Sequence, residues 1–92
     1  MAVIQDDRTE EEKKSHPWLV IGTDKFMSGW GMAKGGTSYA AWACKPEDGG
    51  ACRRWVERRG DMKCVREAIA KDYRPGRSCA HLHIYVWNRE EN

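Results

Sequence analysis

Three side chains able to ligate a metal stand close together near the end of this 92-residue chain: Cys79, His81 and His83, in a C-x-H-x-H pattern. Alternate residues of a strand share one face about 6.5–7 Å apart, and two histidines so placed can hold a zinc ion between them. The other cysteines, Cys44, Cys52 and Cys64, are scattered along the chain without a C-x-x-C pair. The same pattern therefore also describes small buried thiols beside two solvent-facing histidines, and no metal or other cofactor is expected. Nucleophilic catalysis would need a Cys or Ser, a His and an orienting third group brought together. Ser28-Gly29-Trp30-Gly31 lacks the G-x-S-x-G order of a nucleophile elbow. Gly29, Gly31, Gly35 and Gly36 form neither a dinucleotide nor a phosphate-loop fingerprint. The expected protein is not an enzyme.

Aromatic residues give a stronger signal. The chain holds five Trp and three Tyr against one Phe, a set that joins large apolar area to a polar tip and serves small cores and interfaces alike. Trp30 sits between two glycines, beside Phe26, Met27 and Met32. Such an indole either plugs the end of a core or projects as a partner's anchor. Near the end of the chain His81, His83, Tyr85 and Trp87 alternate with Leu82, Ile84 and Val86. If a helix covers the aliphatic side, the aromatic row faces solvent or a partner, with Arg74, Arg77 and Arg89 nearby to add positive charge.

The elements that must position these residues are short. Trp18 to Ile21 is rich in strand formers and stops at Gly22. A glycine-rich connection leads to a second strand, Thr37 to Cys44, with Tyr39, Ala41 and Ala43 on one face and Ala40, Trp42 and Cys44 on the other. Pro46, Glu47 and Asp48 suit a first helical turn, but Gly49-Gly50 weakens it, so the regular helix is expected from Ala51. Cys52, Trp55 and Val56 then make one apolar face, and Gly60 closes the helix. Met62 to Ala70 fits a strand or a helix by periodicity, and the strand is preferred. Residues 73–78 read as a turn-rich connection before the last strand. The expected fold is α+β: a small antiparallel, ββαββ-like sheet with one main helix on one face. Residues 1–15 are charged and lack apolar periodicity, which predicts a mobile tail ahead of a single domain over 16–88, with a polar end at 89–92.

Composition narrows the function. Sixteen Lys and Arg against fourteen Asp and Glu leave a net charge of +2, too balanced to announce a nucleic-acid protein, although nine of the basic residues lie between Arg53 and Arg77. No apolar run reaches the roughly 18–20 residues of a membrane span, and no signal-peptide pattern opens the chain. A cytoplasmic protein with reduced cysteines is expected.

Asp24-Lys25-Phe26-Met27-Ser28-Gly29-Trp30-Gly31, the Ser38-Tyr39 strand, Asp61-Met62-Lys63, and the run from Tyr73-Arg74-Pro75 to His81-Leu82-His83 together resemble a set of short uncharacterised proteins of phages and mobile elements. The most specific piece is the D-x-F-x-S-G-W-G stretch. No established activity comes with that set. The resemblance implies a ββαββ-like fold and a setting in which small proteins block a host machine by occupying its surface, as anti-CRISPR proteins do. The combined expectation is a non-enzymatic protein that contacts a host protein through Trp30, His81, His83, Tyr85, Trp87, Arg74 and Arg77. The alternatives are a nucleic-acid-binding module using the same aromatics and, more remotely, a metal site at His81 and His83. A flat aromatic face could also serve as a homodimer seam.

Overall fold

A computed structural model describes residues 3–25, 37–76 and 79–92. The chain folds as a small α+β domain whose five-stranded mixed sheet carries one main helix. Strand β2 (Trp18–Asp24) pairs antiparallel with β3 (Thr37–Cys44) on one side and with β4 (Met62–Ile69) on the other. Strand β5 (Cys79–Val86) runs parallel to β3, and β1 (Val3–Asp6) runs parallel to β5. The spatial order is β1-β5-β3-β2-β4. The sheet is therefore not the purely antiparallel one expected. After β4 the chain crosses back over β2 and β3 to reach β5, which leaves β5 parallel to β3.

Two clusters fill the two faces. On one face Leu19, Ile21, Ala41, Ala43, Leu82 and Ile84 are buried, and Ala70 and Tyr73 of the returning connection pack against them. The other face carries Val20, Trp42, Cys44 and Trp87, with Cys52 and Val56 of helix α2 (Gly49–Arg59) closing over it. Each fully buried Leu, Ile or Val stabilises the fold by about 1.5–3 kcal/mol relative to exposure. The helix therefore covers the face opposite to the aliphatic row of Leu82 and Ile84, contrary to the arrangement considered from sequence. The returning connection shields that aliphatic row instead.

Helix α2 begins at Gly49, two residues earlier than expected. A 3-10 turn over Pro46–Asp48 leads directly into it. Glycine is needed there because a Cβ at 49 would stand 2.7 Å from the Trp18 indole nitrogen. Gly60, with φ +80°, ends the helix in the left-handed region that favours glycine. The ambiguous segment is a strand through Ile69, followed by a 3-10 turn over Ala70–Asp72. A register shift opposite Gly22, and Cys64 at φ 54°, place both Met62 and Val65 on the helix side of β4.

Residues 3–15, read from sequence as a mobile tail, instead form β1 and helix α1 (Glu10–Ser15). Val3 and Ile4 occupy the pairing edge of β5. Thr9 and Glu12 make a reciprocal capping box at the start of α1. Arg8 donates from Nε and Nη2 to the two oxygens of Asp6, and from Nη1 to the His16 carbonyl. Buried His16 ties this segment down, its Nε2–H donating to Asn88 Oδ1 and its Nδ1 accepting from the Ser15 hydroxyl, both at 2.7 Å. One neutral tautomer satisfies both bonds. The polar end at 89–92 contains a further 3-10 turn, Arg89–Glu91. Among the described residues no helix is long and apolar enough to cross a membrane.

Candidate functional site

Strand alternation places His81, His83 and Tyr85 on the face that α2 also uses, and pairing with β3 sets Tyr85 beside Trp42. The rings form a continuous series. Trp42 meets Trp55 of α2 edge-on at 5.8 Å and stacks on Tyr85 at 5.6 Å. Tyr85 stacks on His83 with centroids 3.9 Å apart and planes 14° from parallel, and His83 meets His81 edge-on at 6.5 Å. The series starts in the core, where Trp42 is 4% exposed, and reaches the surface at Tyr85, which is 38% exposed.

Charged groups brace it. Arg59, at the end of α2, lies over both Trp42 and Trp55 at 5.0 and 5.2 Å. The same guanidinium donates twice to Asp61, and that hydrogen bonding holds the Asp61 carboxyl below the usual carboxylate range. At the other end Asp7 reaches His83, Oδ2 to Nε2 at 2.8 Å, while its backbone N–H extends the β1 ladder to the Ile84 carbonyl. The segment that looked like a loose end in the sequence thus orients a site histidine. The T-x-x-E capping pattern at Thr9 and Glu12 was the readable sign that the segment is ordered.

Beside the rings lies a cleft of about 200 Å³ lined by Asp24, Ser38, Tyr39, Ala40, His81, His83 and Tyr85. The Arg66 guanidinium covers the Tyr39 ring at 5.1 Å. Among the described residues no hydroxyl or thiol is hydrogen-bonded to His83, and no three His, Cys, Asp or Glu side chains group as metal ligands. Cys79 turns away from the histidines. It lies in the opposite-face cluster, donates to the His81 carbonyl at 3.4 Å, and burial pushes its thiol up.

Of the residues expected to meet a partner, the structure brings together His81, His83 and Tyr85. Trp87 is a correction, because it is 3% exposed and packed beside Trp55 at 6.3 Å, under the helix rather than on a free face. Arg74 belongs to the returning connection, and its guanidinium bonds the Lys71 and Tyr73 carbonyls. It does not join the ring row. Trp30 and Arg77 lie outside the described residues. Compared with protein-family models, curated proteins and solved structures, the chain matches none.

Proposed function

We propose that this is a small non-enzymatic binding protein that acts by contact with another protein, using Tyr85, His83 and His81 as its anchor. The observation that carries the reading is the ring series itself, which is rooted in the core at Trp42 and emerges at Tyr85 beside an open cleft. Side chains already fixed by stacking lose little freedom on binding, so more of the contact energy is left as affinity. The resemblance to short phage and mobile-element proteins adds that the partner is a host protein met in the cytoplasm, within a defence system that the protein inhibits in the manner of anti-CRISPR proteins.

The pairing of the arginines favours protein over nucleic acid as the partner. Arg53 bonds Glu67 and lies near Glu57, Arg59 is held by Asp61, and Arg66 lies on Tyr39. Three of the nine cations between Arg53 and Arg77 are thereby committed within the fold, and phosphate binding draws on uncommitted cations.

Tagged protein incubated with lysate of the presumed host, with nuclease treatment and high-salt washes in parallel, tests the reading. It predicts a discrete protein retained through both treatments and lost with Tyr85→Ala, which removes a hot-spot contact of about 2 kcal/mol, roughly thirtyfold in affinity. Material lost on nuclease or salt treatment would instead assign the rings to nucleic acid.

A further inference from the structure

Beside the end of β4, where Ile69 pairs with Trp18, lies a second and larger pocket of about 450 Å³. It shares no lining residue with the cleft beside the rings. Three apolar residues, Pro17, Ile69 and Ala70, line the pocket together with three cations, Arg8, Lys13 and Lys71. Ile69 is 41% exposed, a large aliphatic side chain left open to solvent at the end of an edge strand.

The three cations are not equivalent. Arg8 is nine-tenths buried and its fork is taken by Asp6 and the His16 carbonyl, so its charge is already neutralised. Lys13 shares its ammonium with Glu10 at 3.3 Å, in a pair whose carboxylate is almost fully exposed. Lys71 forms no ion pair among the described residues. The pocket therefore joins an apolar lining to one uncompensated positive charge and a second that is loosely held. A monoanion would neutralise the first, and ammonium point charges place few demands on its geometry.

We propose that this pocket binds a ligand in which a single carboxylate adjoins an apolar group. Its volume lies in the range of small-molecule sites, roughly 300–1,000 Å³. The hydrocarbon would cover Ile69, Ala70 and Pro17, with the carboxylate between Lys71 and Lys13. The inference does not depend on the ring row, whose cleft shares no lining residue with this pocket. Two sources present this chemistry, a free small acid and an acidic side chain next to an apolar one in a peptide.

The experiment is a titration of the full chain, followed by amide NMR, with hexanoate and separately with the blocked dipeptide N-acetyl-leucyl-glutamate amide. The expected result is saturable shifts at Lys13, Ile69, Ala70 and Lys71 but not at His83 or Tyr85, with a dissociation constant on the order of 1 mM or tighter for so small a probe. Hexan-1-ol and hexylamine, which lack the anion, bind far more weakly. Lys71→Met weakens binding about fivefold, the size of one exposed charge pair. Lys71 is exposed and unpaired, so its replacement leaves the fold intact. Saturation by hexanoate identifies a free acid and saturation by the dipeptide alone identifies a peptide, and either supports the site. The proposal is overturned by shifts that do not saturate, by shifts spread over the whole chain, or by binding indifferent to Lys71→Met.

Discussion

Trp42 and Trp87 lie under α2, whereas His81, His83 and Tyr85, on the same face of the same sheet, do not. The first pair is enclosed by Cys52, Trp55 and Val56. The second group rests on Trp42 from the side and is fixed from outside by Asp7 of the N-terminal segment. One face thus carries both a core and a surface ledge, joined by the stacking of Trp42 on Tyr85. The difference shows that strand alternation assigns a residue to a face, while the reach of the covering element decides whether the residue is buried. Helix α2 ends at Arg59, whose side chain closes over Trp42 and Trp55, and the rings beyond that point are left to solvent.

Replacing one member of each half separates the two roles most widely. Trp42→Ala should cost about 3–5 kcal/mol of stability, because it opens a cavity beneath α2 and removes the ring on which Tyr85 stacks. Tyr85→Ala, at an exposed position, should cost less than about 1 kcal/mol while removing partner binding. Denaturant unfolding of the two variants checks this contrast, and equal losses would mean that the ledge is simply part of the core.

The anchoring of the second half can be tested by acid. Arg8 hydrogen bonds hold the Asp6 carboxyl below its ordinary value near 3.8. A lowered folded pKa stabilises fully above the unfolded value and is lost as the pH falls through the folded one. Stability of the native chain should therefore decline below about pH 4 through this pair, and Asp6→Asn should flatten that decline at a cost of about 1 kcal/mol near neutrality. A pH series of unfolding midpoints that is identical in the two proteins would exclude this role.

The smallest effect is expected at Asp7. Its contact with His83 is partly exposed, so Asp7→Asn should change global stability by a few tenths of a kcal/mol up to about 1 kcal/mol. Local opening should be more sensitive, with faster amide exchange in β1 and broadened signals at His83 while α2 is unaffected. Unchanged exchange in β1 would show that its backbone ladder holds the segment without the side-chain contact.

The sequence disclosed most of the elements and less of their arrangement. The face assignments of β3 hold as read: Tyr39, Ala41 and Ala43 meet one cluster, Ala40, Trp42 and Cys44 the other. The helix face of Cys52, Trp55 and Val56 and its stop at Gly60 were equally plain, because helical spacing and a left-handed glycine are local signals. What covers each face was not local. Leu82 and Ile84 alternate with His83 and Tyr85 in the same way whether α2 or the returning connection lies above them, so Trp87 could be placed on a row but not assigned as buried. Strand β1 was hidden for a different reason. Four residues with exposed Val3 and Ile4 show no alternation, and only the open edge of β5, brought there by the whole fold, makes them a strand.

The parallel pairing of β1 with β5 also bears on the order of assembly. The two strands lie nearly the whole described chain apart, so the ladder between them closes only after every intervening element has been made. During synthesis β1 leaves the ribosome well before its pairing edge exists, with Val3 and Ile4 unprotected for that interval. Strand β1 can dock only once β5 has been made, and the Asp7 grip on His83 is set no earlier.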